Sequence, residues 1–250
     1  MKATSSESAL QGYYALHAKI YDATRWSFLF GRERILQRVA AINTPKRILE
    51  VGCGTGRNLL SLRRRFPLAD ITGVDLSSDM LQVAQEKVRS VTLLQQSYDK
   101  PVSGDFDLVL CSYALTMFNP GWDIAIEAAA QDLCEGGLIS VVDFSHTQSG
   151  MFRRWMGVNH VCMENHLWPL LSSRFNALDD SRHAAYAGLW HYGMFVGRKK
   201  HLSLAESVNG IVTHSCREVK GRYDLPPYGS HEMDQNFLQP LSPLSNRHAT

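Results

Sequence analysis

The 250-residue chain has no long apolar run. None of its runs approaches the ~20 residues that a membrane-spanning helix needs. The first residues, MKATSSESALQG, also lack the apolar core of a secretion signal. Cysteine is scarce. The five thiols (Cys53, Cys111, Cys134, Cys162 and Cys216) are odd in number and contain no CxxC pair. Neither a disulfide framework nor a zinc site follows from that pattern, whereas reduced thiols in a cytoplasmic protein do. The expected location is therefore cytoplasmic, with contact at the inner face of a membrane left open. Charge of one sign is also nearly absent. A formal balance of +2 argues against nucleic acid as a partner. Of the ten histidines, no two stand at the i, i+4 spacing of a zinc helix, so no metal is expected. Internal repeats are missing as well.

What is present is an alternation of strand and helix patterns. Ile35, Leu36, Val39, Ala40 and Ile42 recur at helical spacing. RILEV (47–51) reads as a buried strand and GRNLLSLRRRF (56–66) as a helix. ITGVD (71–75) is a second strand, followed by a helix over 77–90 with Ser77 as its N-cap. VTLLQ (91–95) and FDLVLCS (106–112) read as strands. A helix over 121–134 is expected to close at Gly136-Gly137, and LISVVDF (138–144) to follow as the fifth strand. Such βαβα order implies an α/β protein with a doubly wound, mostly parallel sheet. After Phe144 the alternation weakens, with one further strand expected in 188–199. Three segments follow: an aromatic-rich helical lid at 1–43, the sheet domain at 44–200 and a loosely ordered tail at 201–250. The tail carries Pro226, Pro227, Pro240 and Pro243 and shows no sustained period.

The first strand ends in ILEVGCGTG (48–56). The third glycine of the turn is Gly56, one place short of a dinucleotide GxGxxG, and Arg57 stands where that glycine would be. A P-loop lysine is also missing. Glu50 would repel a pyrophosphate but suits a cation. Asp75 closes the second strand about 20 residues on, where a ribose-binding acid is expected. A ribose without a pyrophosphate, beside a positive charge, describes S-adenosylmethionine. A tight βα connection alone would explain Gly52, Gly54 and Gly56, but not Glu50 and Asp75 together.

The E-x-G-x-G-x-G pattern with its later acid resembles that of class I methyltransferases, which have a Rossmann-like fold. The resemblance implies that Asp75 binds the ribose hydroxyls, and that Gly52, Cys53, Gly54 and Gly56 border the methionine part. It implies that Leu76 and Met80 pack on the adenine. Ser97 and Tyr98 stand where the family often has a Gly-Asp-Ala run, and Cys111 to Tyr113 face the methyl group. More narrowly, IYDATRWSFLFGR (20–32), SYALTM (112–117) and VVDF (141–144) resemble the N-methyltransferase of betaine-lipid synthesis over about residues 11–199. This implies three successive methylations of the amine of diacylglyceryl-homoserine at a membrane surface, with an aminocarboxypropyl transferase as a functional partner.

No Asp-His or Lys-Asp constellation appears by spacing, which favours an amine acceptor, since an amine needs no dedicated base. A quaternary ammonium product favours aromatic faces, and Tyr13, Tyr14, Tyr21, Trp26 and Tyr113 are candidates. Core or lid packing accounts for the same rings. Arg25 suits the cofactor carboxylate or a solvated helix surface. Asp143, at the end of the fifth strand, suits either the substrate ammonium or a helix cap. His146 and His160 are candidate headgroup contacts. The stretch MFRRWMGVNHVCMENHLWPLL (151–171) mixes aromatics and arginines, as an interfacial helix does, and as an ordinary amphipathic helix does too. Other readings are a methyltransferase for phosphatidylethanolamine or another small amine, a quinone C-methyltransferase, and a non-catalytic cofactor-binding module. The last would be marked by a degraded turn or a lost Asp75, and both are intact. Nucleic-acid methylation finds no Asn-Pro-Pro-Tyr-like motif after the fourth strand.

Overall fold

The computed structural model describes residues 28–102, 104–158 and 160–200. The helix α1 (Arg32–Ile42) precedes β1 (Arg47–Val51), α2 (Arg57–Arg65), β2 (Asp70–Asp75) and α3 (Ser78–Lys87). β3 (Thr92–Gln95), β4 (Phe106–Ser112), α4 (Trp122–Asp132) and β5 (Leu133–Phe144) follow. Then come α5 (Gly150–Val158), α6 (Leu167–Arg174), β6 (Phe175–Ala185) and β7 (Trp190–Lys199). The seven strands form one sheet in the order β3-β2-β1-β4-β5-β7-β6. β1 to β5 are parallel, whereas β7 runs antiparallel to both its neighbours. The expected α/β class with a mostly parallel sheet is observed.

The central strands are apolar throughout because both of their faces are covered. Ile48, Leu49 and Val51 of β1 are fully buried. One face packs Ile48, Leu108 and Leu138 with Leu36 and Val39 of α1 and Leu59 and Leu62 of α2. The other packs Leu49, Val109 and Ile139 with Ile126 of α4 and Trp168 of α6. Ser77 caps α3 as its sequence position predicts, its Oγ accepting the Met80 N–H at 3.3 Å.

Two expectations are revised. Gly136 and Gly137 do not close α4; they lie inside β5, which starts at Leu133. The register with β4 shifts between Phe106 and Leu108, and a bulge there takes Gly136 at φ +74°. The second revision is β6. FNALDDSRHAA has little apolar alternation because β6 is the sheet edge, where charge blocks further pairing. Arg38 of α1 reaches it, with Nε 3.2 Å from the Asp179 carboxylate.

Candidate active site

In a parallel sheet, ligands sit beyond the carboxyl ends of the strands, at the point where strand order reverses. Here that point lies between β1 and β4. The turn after β1 is pinned from two sides. Gly52 N and Cys53 N both donate to the Val74 carbonyl, at 2.9 and 3.0 Å. Gly54 N donates to Asp75 Oδ2 at 2.8 Å, while Asp75 Oδ1 accepts the Ser77 N–H at 2.9 Å. Asp75 thus joins the glycine turn to the α3 cap, and each carboxylate oxygen keeps a lone pair for a further donor.

The glycines differ in what surrounds them. Gly54 has φ +53°, and a Cβ placed on it would meet nothing within 4 Å, so the backbone here faces open space. Gly56 has φ +76°, and its Cβ would lie 3.0 Å from Ala84 Cβ. It serves the close approach of α2 to α3. Cys53 turns inward, where it would meet a Cβ on Gly73 at 2.9 Å. Burial, with Glu50 and Asp75 nearby, pushes its thiol pKa up. Cys111 is also buried, with its thiol pKa raised by burial and by Asp143 and Glu50.

Beside the turn is a cleft of about 330 Å³ lined by Gly52, Val74, Asp75, Leu76, Ser97 and Tyr98, and on its far wall by Phe118, Asn119 and Pro120. Leu76 is 71% exposed over it, an apolar side chain suited to a base. Met80 sits one turn into α3 and is not among the lining residues. Tyr98 borders the cleft and is largely buried, and its hydroxyl donates to Asp132 Oδ2 at 2.8 Å. Asp132 also accepts the Val102 and Gly104 N–H groups at 3.0 and 2.7 Å, so this acid holds the loop after β3 in place. The far wall, in the segment Met117–Gly121, was not singled out by residue in the sequence. Its signal was the Asn-Pro-Gly turn, which carries a cis Asn119-Pro120 bond.

Glu50 is buried. Asn58 Nδ2 donates to its Oε1 at 2.8 Å, and Oε2 has no hydrogen-bond partner among the described residues. Burial raises its carboxyl pKa to about 8, against the opposing pull of the Asn58 bond and the Arg32 charge. A buried acid with an open oxygen next to the glycine turn fits a cationic ligand.

At the ends of β4 and β5 the side chains form an aromatic group. Tyr113, at φ +55°, donates its hydroxyl to the Phe30 carbonyl at 2.8 Å. Its ring meets Phe144 edge-on at 4.8 Å, and Phe144 lies 5.1 Å from Trp190. Burial, with Asp143 close by, holds the Tyr113 hydroxyl pKa well above its usual value. Phe30 completes the group at the surface, 5.6 Å from Tyr186 and 6.3 Å from Tyr192. Asp143 is fully buried. Its oxygens accept from Thr116 Oγ1, from Thr116 N at 3.2 Å and from Phe144 N at 2.8 Å. The carboxyl is engaged in fixing the turn Leu115–Met117, and burial pushes its pKa up to about 6. His146 stacks on His191 at 4.3 Å, and burial and that neighbour lower its pKa. His160 is exposed in the loop after α5, away from the glycine turn in sequence. Tyr13, Tyr14, Tyr21, Arg25 and Trp26 lie outside the described residues.

Residues 48–137 match the family model described as a methyltransferase domain. A malonyl-[acyl-carrier protein] O-methyltransferase of Priestia megaterium is 33% identical over 41% of this chain and 39% of its own length. A ubiquinone/menaquinone biosynthesis C-methyltransferase of Syntrophotalea carbinolica is 27% identical over 80% of this chain and 91% of its own. The chain spans only 28–39% of the length of the first curated relatives it matches. An N-methyltransferase of Bradyrhizobium japonicum, solved with S-adenosyl-L-homocysteine, superposes with a TM-score of 0.57. That match has 15% identity and covers 68% of this chain and 86% of the other. Residues 48–137 therefore match a methyltransferase domain, and the sheet has the Rossmann-like fold of class I methyltransferases.

Proposed function

We propose that the chain is an S-adenosylmethionine-dependent N-methyltransferase that converts diacylglyceryl-homoserine, in successive in-line transfers, to the trimethylated betaine lipid. The observation that carries the acceptor class is the aromatic group at the ends of β4 and β5. Tyr113, Phe144, Trp190 and Tyr192 stand there, and Phe30 brings the group to the surface. Tyr113, Phe144, Trp190 and Tyr192 are themselves buried, so the ring of the group that is open to a ligand is Phe30, 39% exposed; an aromatic face stabilises a desolvated ammonium by about 0.5–2 kcal/mol.

The cofactor supplies an electrophilic methyl group on a sulfonium. Asp75 has the geometry to accept from ribose hydroxyls while it pins Gly54. Leu76, Ser97 and Tyr98 suit the base. Glu50 sets a negative potential beneath the turn once it is ionised. The protein's contribution to the transfer is positioning and exclusion of water. The amine reaches the site after losing its proton to solvent, and attacks as a neutral nucleophile.

One observation favours a second reading. A relative matched over 80% of this chain is a ubiquinone/menaquinone biosynthesis C-methyltransferase, and an exposed aromatic ring such as Phe30 also suits a flat quinone. The experiment that separates them is lipid analysis of a host making this protein with a source of diacylglyceryl-homoserine, run beside an assay with demethylmenaquinone. Mono-, di- and trimethylated headgroups are the expected result. Methylated quinone without methylated headgroup would replace the amine reading with the carbon one.

A further inference from the structure

The helix α5 (Gly150–Val158) has two apolar sides. Met156 is buried, and Phe152 packs partly against the core. Met151, Trp155 and Val158 point the other way and are 86%, 50% and 76% exposed. At 3.6 residues per turn these three fall within about 60° of one another, so they form a stripe, not scattered surface residues. The stripe continues into a wider patch. Phe28 lies 5.9 Å from Trp155 and 6.0 Å from Tyr186. Tyr186 and Leu189, just before β7, are 51% and 45% exposed.

The charged residues of α5 itself are both basic, Arg153 and Arg154. Arg174, at the end of α6, belongs to the other face of the sheet, where it pairs with Glu127 at 2.6 Å. Arg153 reaches back to the Thr147 carbonyl at 2.8 Å. Arg154 is exposed, and in helical projection it borders the stripe on the Val158 side. Tryptophan and tyrosine with aliphatic side chains and a flanking arginine match the boundary between headgroups and acyl chains.

We infer that α5 and the Tyr186–Leu189 turn form a membrane-docking face, which seats the protein on an anionic lipid surface with Met151, Trp155 and Val158 inserted. No described helix is long and apolar enough to cross a bilayer, so the attachment is peripheral. A second copy of this chain fits the same face poorly. A two-fold contact through α5 would bring the arginines of both copies together. The inference rests on the lipid-acceptor reading only for its purpose. The docking itself is independent of which atom is methylated.

The test is co-flotation of the full chain with vesicles of phosphatidylcholine, with and without phosphatidylglycerol. Binding to the anionic vesicles is expected, with little to phosphatidylcholine alone. Arg154→Glu should weaken binding roughly thirtyfold, as each surface charge contributes about 1 kcal/mol and the reversal removes two. Met151→Ser with Trp155→Ala and Val158→Ser should weaken it at least about tenfold. An unchanged affinity for S-adenosylhomocysteine in each variant shows that the fold is retained. No binding by the wild-type chain, or equal binding by the triple variant, overturns the inference. So does concentration-dependent dimerisation that the triple variant abolishes while wild-type chain ignores vesicles. If vesicle binding holds but no lipid amine is methylated, the docking face stands and the acceptor reading fails.

Discussion

Cofactor binding should release a proton from Glu50. The carboxyl is buried, one oxygen bonded to Asn58 and the other without a hydrogen bond among the described residues, and its pKa is raised to about 8. At pH 7 about nine-tenths of the free protein therefore carries that proton. A sulfonium and an ammonium held beside the turn favour the ionised form, so binding must expel it. The apparent affinity for S-adenosylmethionine should fall about tenfold per pH unit below pH 8, roughly a hundredfold by pH 6. Isothermal titration in buffers of different ionisation enthalpy reads the proton directly. About 0.9 proton per ligand is expected at pH 7. Glu50→Gln removes this component and leaves only the ligand's own titration. A wild-type proton count equal to that of Glu50→Gln would refute the reasoning, because Glu50 would then keep its protonation state on binding.

The same group makes stability depend on pH. Its pKa rises from 4.5 unfolded to about 8 folded, so its stabilising contribution is complete below pH 4.5 and is lost as pH rises through 8. Glu50→Gln should therefore raise the free energy of unfolding over wild type increasingly between pH 5 and 8, by on the order of a few kcal/mol at the top, as read by denaturant titration. Asp75→Ala removes the acceptor for Gly54 N and Ser77 N along with the ribose contact. Affinity for S-adenosylhomocysteine should fall by about 1.5–3 kcal/mol, and unchanged calorimetric binding would contradict the role. Gly56→Ala puts a methyl 3.0 Å from Ala84 Cβ at φ +76° and should cost about 1–3 kcal/mol, seen as a lower midpoint in thermal unfolding. Asp132→Asn sets an amide against the donors Tyr98, Val102 and Gly104. A loss of about 1–3 kcal/mol is expected, with faster amide exchange in the loop 98–102.

The first five strands, the α3 cap and the glycine turn were legible because each is a local pattern. Buried parallel strands read as apolar runs, Ser77 stands where a cap must, and the spacing of Glu50, Gly52, Gly54, Gly56 and Asp75 excluded phosphate ligands. By itself the sequence determined the α/β order and pointed to the methyl donor. Tertiary structure decided what each polar group does there. Asp143 and Tyr113 look like free site groups by position, yet one anchors Thr116 and the other bonds to Phe30. Those partners are 27 and 83 residues away, and no local pattern announces them. β6 was hidden for a related reason: an edge strand carries charge that blocks further pairing, so its apolar alternation is weak. The outward stripe of α5 is the converse case. MFRRWMGV shows that the helix is amphipathic, but only the sheet it packs on decides that Phe152 and Met156 turn inward while Met151, Trp155 and Val158 face out.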